Sequence, residues 1–260
     1  MRQIVLIVGV ENQEALETAA WYLKRGDTVY AGVTNGDAAL KVRLEETYPG
    51  LHVNQLDLGT EEPAALAEQI MQAEKKLDVL VLQAGCRAEH DGEIGCEDGK
   101  YHDYDDMLRV LDYNINGMRQ VIEQSIPLLR LGEKKRIAVI TESSSSVGWT
   151  RETDAFAYRM SLAAIHMMEK IYFNRLRPEG FTFRCYAAEG KGGISGAEYI
   201  EQGLCYDEKE PYIHSDENRL VMRNRYLQEI PWQRKSRLSS QYITRCSTYW
   251  GDQKYETDGG

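Results

Sequence analysis

Short apolar runs alternate with longer stretches of helical period from residue 4 to residue 187, and that alternation excludes most folds. The runs are IVLIVGV (4–10), TVYAGV (28–33), HVNQLDL (52–58), LDVLVLQAG (77–85), KRIAVITESS (135–144) and FTFRCYA (181–187). Between them lie EALETAAWYLKRG (14–26), AALKVRLEETYPG (38–50), the segments 61–77 and 104–132, and AFAYRMSLAAIHMMEKIYFNRLRPEG (155–180), with apolar residues three or four apart. Continuous apolar runs are what strands buried on both faces require, and regular strand–helix alternation implies right-handed crossovers and a parallel sheet covered on both sides. Gly26, Gly50, Gly132 and Gly180 follow their helices where a left-handed residue is expected, and Pro63 falls in a first turn after Thr60.

The predicted architecture is an α/β fold with a doubly wound parallel sheet, Rossmann-like, forming a single domain over 1–232. Residues 233–260 form a polar C-terminal extension, partly disordered, whose aromatics pack on the body, cover the crevice or reach a second subunit. Ligands in such sheets bind beyond the carboxyl ends of the strands, so the residues after Val8, Leu82 and Ile140 are expected to line the crevice.

Composition removes several function classes. A formal net charge of -10 argues against nucleic acid or an anionic membrane as partner. The opening MRQIVLIVGV is too short to span a bilayer and lacks a signal-peptide cleavage site. Five cysteines without CxxC spacing indicate neither a disulfide framework nor a zinc ribbon, which fits a reducing cytoplasm. The histidines at 52, 90, 102, 166 and 214 form no HExxH and no paired ligand spacing, so no metal site is expected.

The order of elements, together with AYRMSLAAIHMMEK, LRPEGFTF and the EIPW of 229–232, resembles the short-chain dehydrogenase/reductase family, in particular its C-factor-like branch. The resemblance implies that Asn114, Ser145 and Tyr158 occupy the catalytic positions. It also implies that Gly9, Asp57, Ala84 and Gly85 occupy cofactor-binding positions, Asp57 beside the adenine ring, with NAD or NADP as the cofactor. In such a site the phenol donates a proton to a carbonyl oxygen as hydride arrives, the serine holds that oxygen, and the asparagine anchors a water relay.

Four departures fall on the same crevice. The family's lysine lies four residues after the tyrosine and lowers its pKa; here Leu162 stands there. A free phenol has a pKa of about 10, and bringing it to neutrality takes on the order of 4 kcal/mol of preferential phenolate stabilisation, which leucine does not provide. His166 and Lys170 lie two and three turns beyond Tyr158, too far along the helix to substitute, and Arg159 points elsewhere. The variant spacing of divergent enoyl reductases places lysine seven residues on, where this chain has Ile165.

The glycine-rich phosphate turn TGxxxGxG becomes VGVENQEA, with Val8, Gln13 and Ala15 replacing the threonine and two later glycines, and Glu11 and Glu14 adding negative charge. Gln83 replaces an asparagine in LQAG, and Glu189 replaces part of the proline–glycine after the sixth strand. The expected function is therefore a catalytically degenerate subunit that binds a small molecule or a partner without ordinary hydride transfer. The alternative is an active NAD(P)-dependent oxidoreductase, or a non-redox enzyme, with a divergent site using Tyr158 and Ser145. The resemblance implies pairing of the fourth and fifth crossover helices across a two-fold axis, and the apolar residues beyond one buried face in the corresponding segments 104–130 and 155–177 agree with a homodimer, with a tetramer as the larger option.

Overall fold

The computed structural model describes residues 2–34, 38–87, 104–203 and 215–232. The C-terminal extension at 233–260 and residues 1, 35–37, 88–103 and 204–214 lie outside the described residues.

The elements run in chain order as β1 (Ile4–Val8), α1 (Gln13–Lys24), β2 (Thr28–Val33), α2 (Ala38–Thr47), β3 (Leu51–Gln55), α3 (Glu62–Glu74), β4 (Val79–Gln83), α4 (Tyr104–Leu111), α5 (Met118–Leu131), β5 (Arg136–Thr141), α6 (Phe156–Leu176), β6 (Thr182–Ala187), α7 (Gly196–Gln202), β7 (Met222–Asn224) and β8 (Glu229–Ile230). They build one eight-stranded sheet in the order β3-β2-β1-β4-β5-β6-β7-β8. All pairings are parallel except the last, where β8 runs antiparallel to β7.

Each apolar run becomes a strand because alternate side chains fill a separate core on each face. Leu6, Val8, Leu80, Leu82, Val139 and Phe183 pack with α3, α5 and α6 on one face. Val5, Ile7, Val79, Val81, Ala138 and Ile140 pack with α1, α2 and α7 on the other. The strand order reverses at β1/β4, which opens the crevice at the carboxyl ends of those strands.

Three details depart from expectation. Gly26, Gly50 and Gly180 are left-handed at φ +85°, +93° and +88°, but Gly132 is extended, with φ −74° and ψ 158°. Its glycine requirement is steric: a Cβ there would lie 1.9 Å from the Leu77 carbonyl oxygen. The segment 104–132 is not one regular α-helix, because a π-helical segment, Asp112–Gly117, joins α4 to α5. A Cβ on Gly117 would lie 2.5 Å from the Leu58 Cβ, so the glycine lets this segment press onto the chain beyond β3. Finally α7, with a Ser195/Glu198 capping box, arises inside a stretch with no clear helical period.

Candidate functional site

Tyr158 enters the site from the first turn of α6, whose buried residues Tyr158, Ser161, Leu162, Ile165, His166 and Glu169 recur at three- and four-residue intervals. The phenol is only 4% exposed. Its hydroxyl donates to Glu142 Oε1 at 3.1 Å, and the Arg87 guanidinium lies 3.7 Å from the ring centroid while pairing with the same carboxylate. Burial, and then the Glu142 carboxylate, push the phenol well above the usual tyrosine range, and Arg87 opposes this only in part. Leu162, one turn along, is fully buried in the apolar core.

The missing cation at 162 is visible in the sequence; the carboxylate on the hydroxyl and the guanidinium on the ring are not. Glu142 and Arg87 follow β5 and β4, the strand ends at which the topology places a crevice, and that was the available signal.

Ser145 ends a short 3-10 turn, Ser143–Ser145, and is 3% exposed. Its hydroxyl donates to the Glu142 carbonyl at 2.6 Å and lies 2.8 Å from His166 Nε2. With the serine proton committed to the carbonyl, His166 is the donor in that contact. The same nitrogen is 3.2 Å from Thr141 Oγ1, and the Trp232 ring lies 4.9 Å from the imidazole. His166 is thus too far along the helix to replace a lysine at 162, yet it is the direct partner of Ser145. Spacing from Tyr158 alone hid this.

Asn114 is buried in the π-helical segment. Its amide donates to the Cys86 carbonyl and to Ser161 Oγ, both at 2.8 Å, and accepts from Cys86 N at 3.2 Å. Both amide hydrogens are therefore engaged in tying the exit of β4 to α6.

At the mouth, Gly9 is left-handed at φ +91°, and a Cβ on it would lie 2.6 Å from the Gln83 carbonyl. Gln83 Oε1 accepts from Ala15 N at 2.9 Å, so a side-chain amide already takes one of the N–H groups at the start of α1. The Asn12 amide donates to the Gly9 carbonyl at 3.1 Å and crowds Gly85, where a Cβ would lie 2.7 Å from Asn12 Nδ2. Ala84 is buried beside it.

The expectation that Glu11 and Glu14 both charge the mouth needs correction for Glu14, whose charge is met by Arg225, and not for Glu11, whose partners are neutral. Glu14 is 7% exposed, accepts from Gly196 N at 3.0 Å and pairs with Arg225; Glu11 accepts from the Thr34 backbone N–H and hydroxyl. Asp57 is exposed and accepts from Gly59 N at 3.0 Å. Glu189 accepts from Ser143 N, which sets it against the serine turn.

Beside that turn lies an open groove of about 530 Å³ lined by Ser145, Val147, Thr150, Phe156, Arg159 and Met160. Its size and mixed apolar and polar walls suit a small molecule. Ser145 thus faces the groove side of the turn, whereas Tyr158 is not among the groove's lining residues.

A sequence model of the short chain dehydrogenases matches residues 3–189. Among characterised proteins, C-signal of Myxococcus xanthus is 36% identical over 106 residues, 41% of this chain and 60% of that relative, so the match leaves much of C-signal's length uncovered. The 1-hydroxy-2-glutathionyl-2-methyl-3-butene dehydrogenase of Rhodococcus sp. (strain AD45) is 27% identical over 178 residues, 68% of this chain and 73% of the relative. A short-chain dehydrogenase/reductase from Burkholderia multivorans, crystallised with NADP, superimposes with a TM-score of 0.66 at 20% identity, covering 89% of this chain and 100% of its own.

Proposed function

The chain belongs to the short chain dehydrogenase family, and from that premise we propose that it is an oxidoreductase-like member that no longer performs ordinary hydride transfer and acts as a ligand- or partner-binding subunit. One observation carries this reading: the Tyr158 hydroxyl is donated to Glu142 while Leu162 fills the lysine position. A phenol held neutral by burial and by a carboxylate is a poor exchanger of protons near neutral pH. The residues present also fit a nicotinamide dinucleotide badly, because Gln83 occupies Ala15 N at the helix start where a pyrophosphate would need it. The ligand, in this reading, is a small molecule seated in the groove beside Ser145.

A second reading, an NAD(P)-dependent oxidoreductase with a divergent site, is favoured by the His166-to-Ser145 hydrogen bond, which orients a serine hydroxyl at the catalytic position. Under it the nucleotide bound by the Burkholderia neighbour is the first to try. Thermal-shift titration with NADH and NADPH separates the two readings. A ligand at a hundred times its dissociation constant stabilises the fold by about 2.7 kcal/mol, or roughly 5–11 °C for a chain of this size. No shift at millimolar cofactor, with no carbonyl-dependent NADPH oxidation, is expected; a shift with turnover overturns the first reading.

The assembly we propose is a homodimer. Leu108 on α4 and Met160, Met167 and Ile171 on α6 are 45%, 50%, 63% and 61% exposed, an apolar surface that a second copy would cover. The short edge strand β8 offers a further contact for a tetramer. Among the described residues no helix is long and apolar enough to cross a membrane. Residues 1–232 as one domain, the extension beyond it and a cytoplasmic location belong to the same proposal, the last supported by the free, buried thiols of Cys86 and Cys185.

A further inference from the structure

Behind Ser145, on the side of His166 away from the crevice, three ligating side chains converge. His166 and Glu169 are three residues apart on α6 and share one helix face. Cys185 lies two residues beyond Phe183 on β6 and therefore on the same sheet face, and Phe183 packs edge-on against Phe173 of α6 at 5.6 Å. Cys185 Sγ is 3.1 Å from His166 Nδ1 and 3.1 Å from Glu169 Oε2, and those last two atoms are 3.4 Å apart. The three residues are 0%, 5% and 1% exposed.

A second observation is independent of the clustering. Glu169 Oε1 is buried with no hydrogen-bond partner among the described residues, and the other oxygen of this carboxylate lies 3.4 Å from His166 Nδ1. A buried carboxylate with an unsatisfied oxygen is costly unless something cationic completes it.

We propose that His166 Nδ1, the Glu169 carboxylate and Cys185 Sγ bind a divalent transition-metal ion of the zinc class, in a buried site that pins α6 to β6 beneath Ser145. The donor spacing agrees with this. Bonds of about 2.3 Å to sulfur and 2.0–2.1 Å to nitrogen and oxygen at tetrahedral angles put the donors about 3.3–3.6 Å from one another. The observed N–O edge, 3.4 Å, falls within that range, and the two edges to sulfur, both 3.1 Å, are shorter by about 0.5 Å, a small outward shift of the thiol. The donor set of thiolate, imidazole and carboxylate selects zinc or a similar borderline ion over calcium or magnesium.

Charge agrees as well. A dication with one thiolate, one carboxylate and a neutral imidazole sums to zero, the arrangement a buried site tolerates best. When the ion binds, the Cys185 thiol gives its proton to solvent and the sulfur lone pair forms the metal bond; no electron changes hands. The three residues supply three of the four donors of a tetrahedral site. The tautomer follows from the partners: Nδ1 faces the ion and Nε2–H donates to Ser145 Oγ, an outer-shell contact of the kind that orients ligating histidines. This inference does not depend on whether the crevice is redox-active.

The test uses the full chain, stripped with a chelator and titrated with Zn²⁺ alone, then with Co²⁺ as a spectroscopic reporter. The expected result is uptake of one equivalent of zinc with a rise in Tm, and a cobalt spectrum with intense tetrahedral bands and a thiolate charge-transfer band. Cys185→Ser and Glu169→Gln should each abolish the tight uptake. If Cys185→Ser does not fold, a variant with Cys86, Cys96, Cys205 and Cys246 changed to serine leaves Cys185 as the sole sulfur donor of that type, and the charge-transfer band should persist. A folded, stripped chain that takes up no zinc, a cobalt spectrum lacking the thiolate band, or a band lost in the variant that keeps Cys185 would overturn the proposal in favour of a hydrogen-bonded triad.

Discussion

Tyr158→Phe keeps the ring over which Arg87 lies and removes only the ionisable hydroxyl. In the folded chain burial and Glu142 raise the phenol's pKa, whereas in the unfolded chain it titrates near 10. The fold therefore holds this proton more tightly than the unfolded chain does. The resulting stabilisation is fully present below about pH 10 and drains away as pH rises from there toward the folded-state value. For one group the loss is about 1.4 kcal/mol between pH 8 and pH 11. At pH 8 the variant should be the less stable protein by about 1.5–3 kcal/mol, the contribution of a hydrogen bond to a charged acceptor. At pH 11 that gap should have narrowed by about 1.4 kcal/mol, or roughly 3–6 °C in Tm.

Urea melts of both proteins at several pH values measure this. Burial also raises the phenols of Tyr22, Tyr186 and Tyr199, so both proteins lose stability in alkali and only their difference reports on Tyr158. Glu142→Gln, which keeps an acceptor but removes the charge, should shrink the pH-dependent part of the difference. Parallel curves for wild type and Tyr158→Phe would mean that the folded phenol titrates as it does in water, and the electrostatic reading of the site would fall.

Leu162→Lys alone should not restore reductase activity, because Glu142 still holds the phenol. An unpaired ammonium in a fully buried position should also destabilise the fold on the order of 3–5 kcal/mol; carbonyl-dependent NADPH oxidation by this single variant would show that the lysine alone was wanting. Met167→Glu with Ile171→Glu should convert the proposed dimer to a monomer in light scattering with an unchanged circular dichroism spectrum, since both side chains are exposed in the single chain. A variant that remains dimeric would move the interface elsewhere.

What was legible in the sequence was what depends on neighbours along the chain. The strands of the two cores were readable because each is an apolar run buried on both faces, and Gly26, Gly50 and Gly180 were readable because a helix end needs a left-handed residue. Gly132 resisted because its constraint comes from the Leu77 carbonyl, more than fifty residues away in the chain. β7 and β8 were hidden by their shortness and by Arg223, a buried arginine whose charge is met by Asp216 from outside the strand.

The candidate site divides along the same line. Leu162 was visible because a helix puts residue i+4 beside residue i, and the same rule made His166 look irrelevant, since Tyr158 was the only reference point. Yet His166 is brought to Ser145 by the crossing of α6 over β5, and Arg87 and Glu142 are brought to Tyr158 by the ends of two parallel strands. The protonation of Tyr158 is therefore a balance among burial, Glu142 and Arg87, in which Leu162 contributes no charge. A lysine lost from a helix face would by itself leave the phenol near its value in water. It is burial first, with the carboxylate at the end of β5 working in the same direction, that lifts the phenol well above its value in water and holds the proton on it.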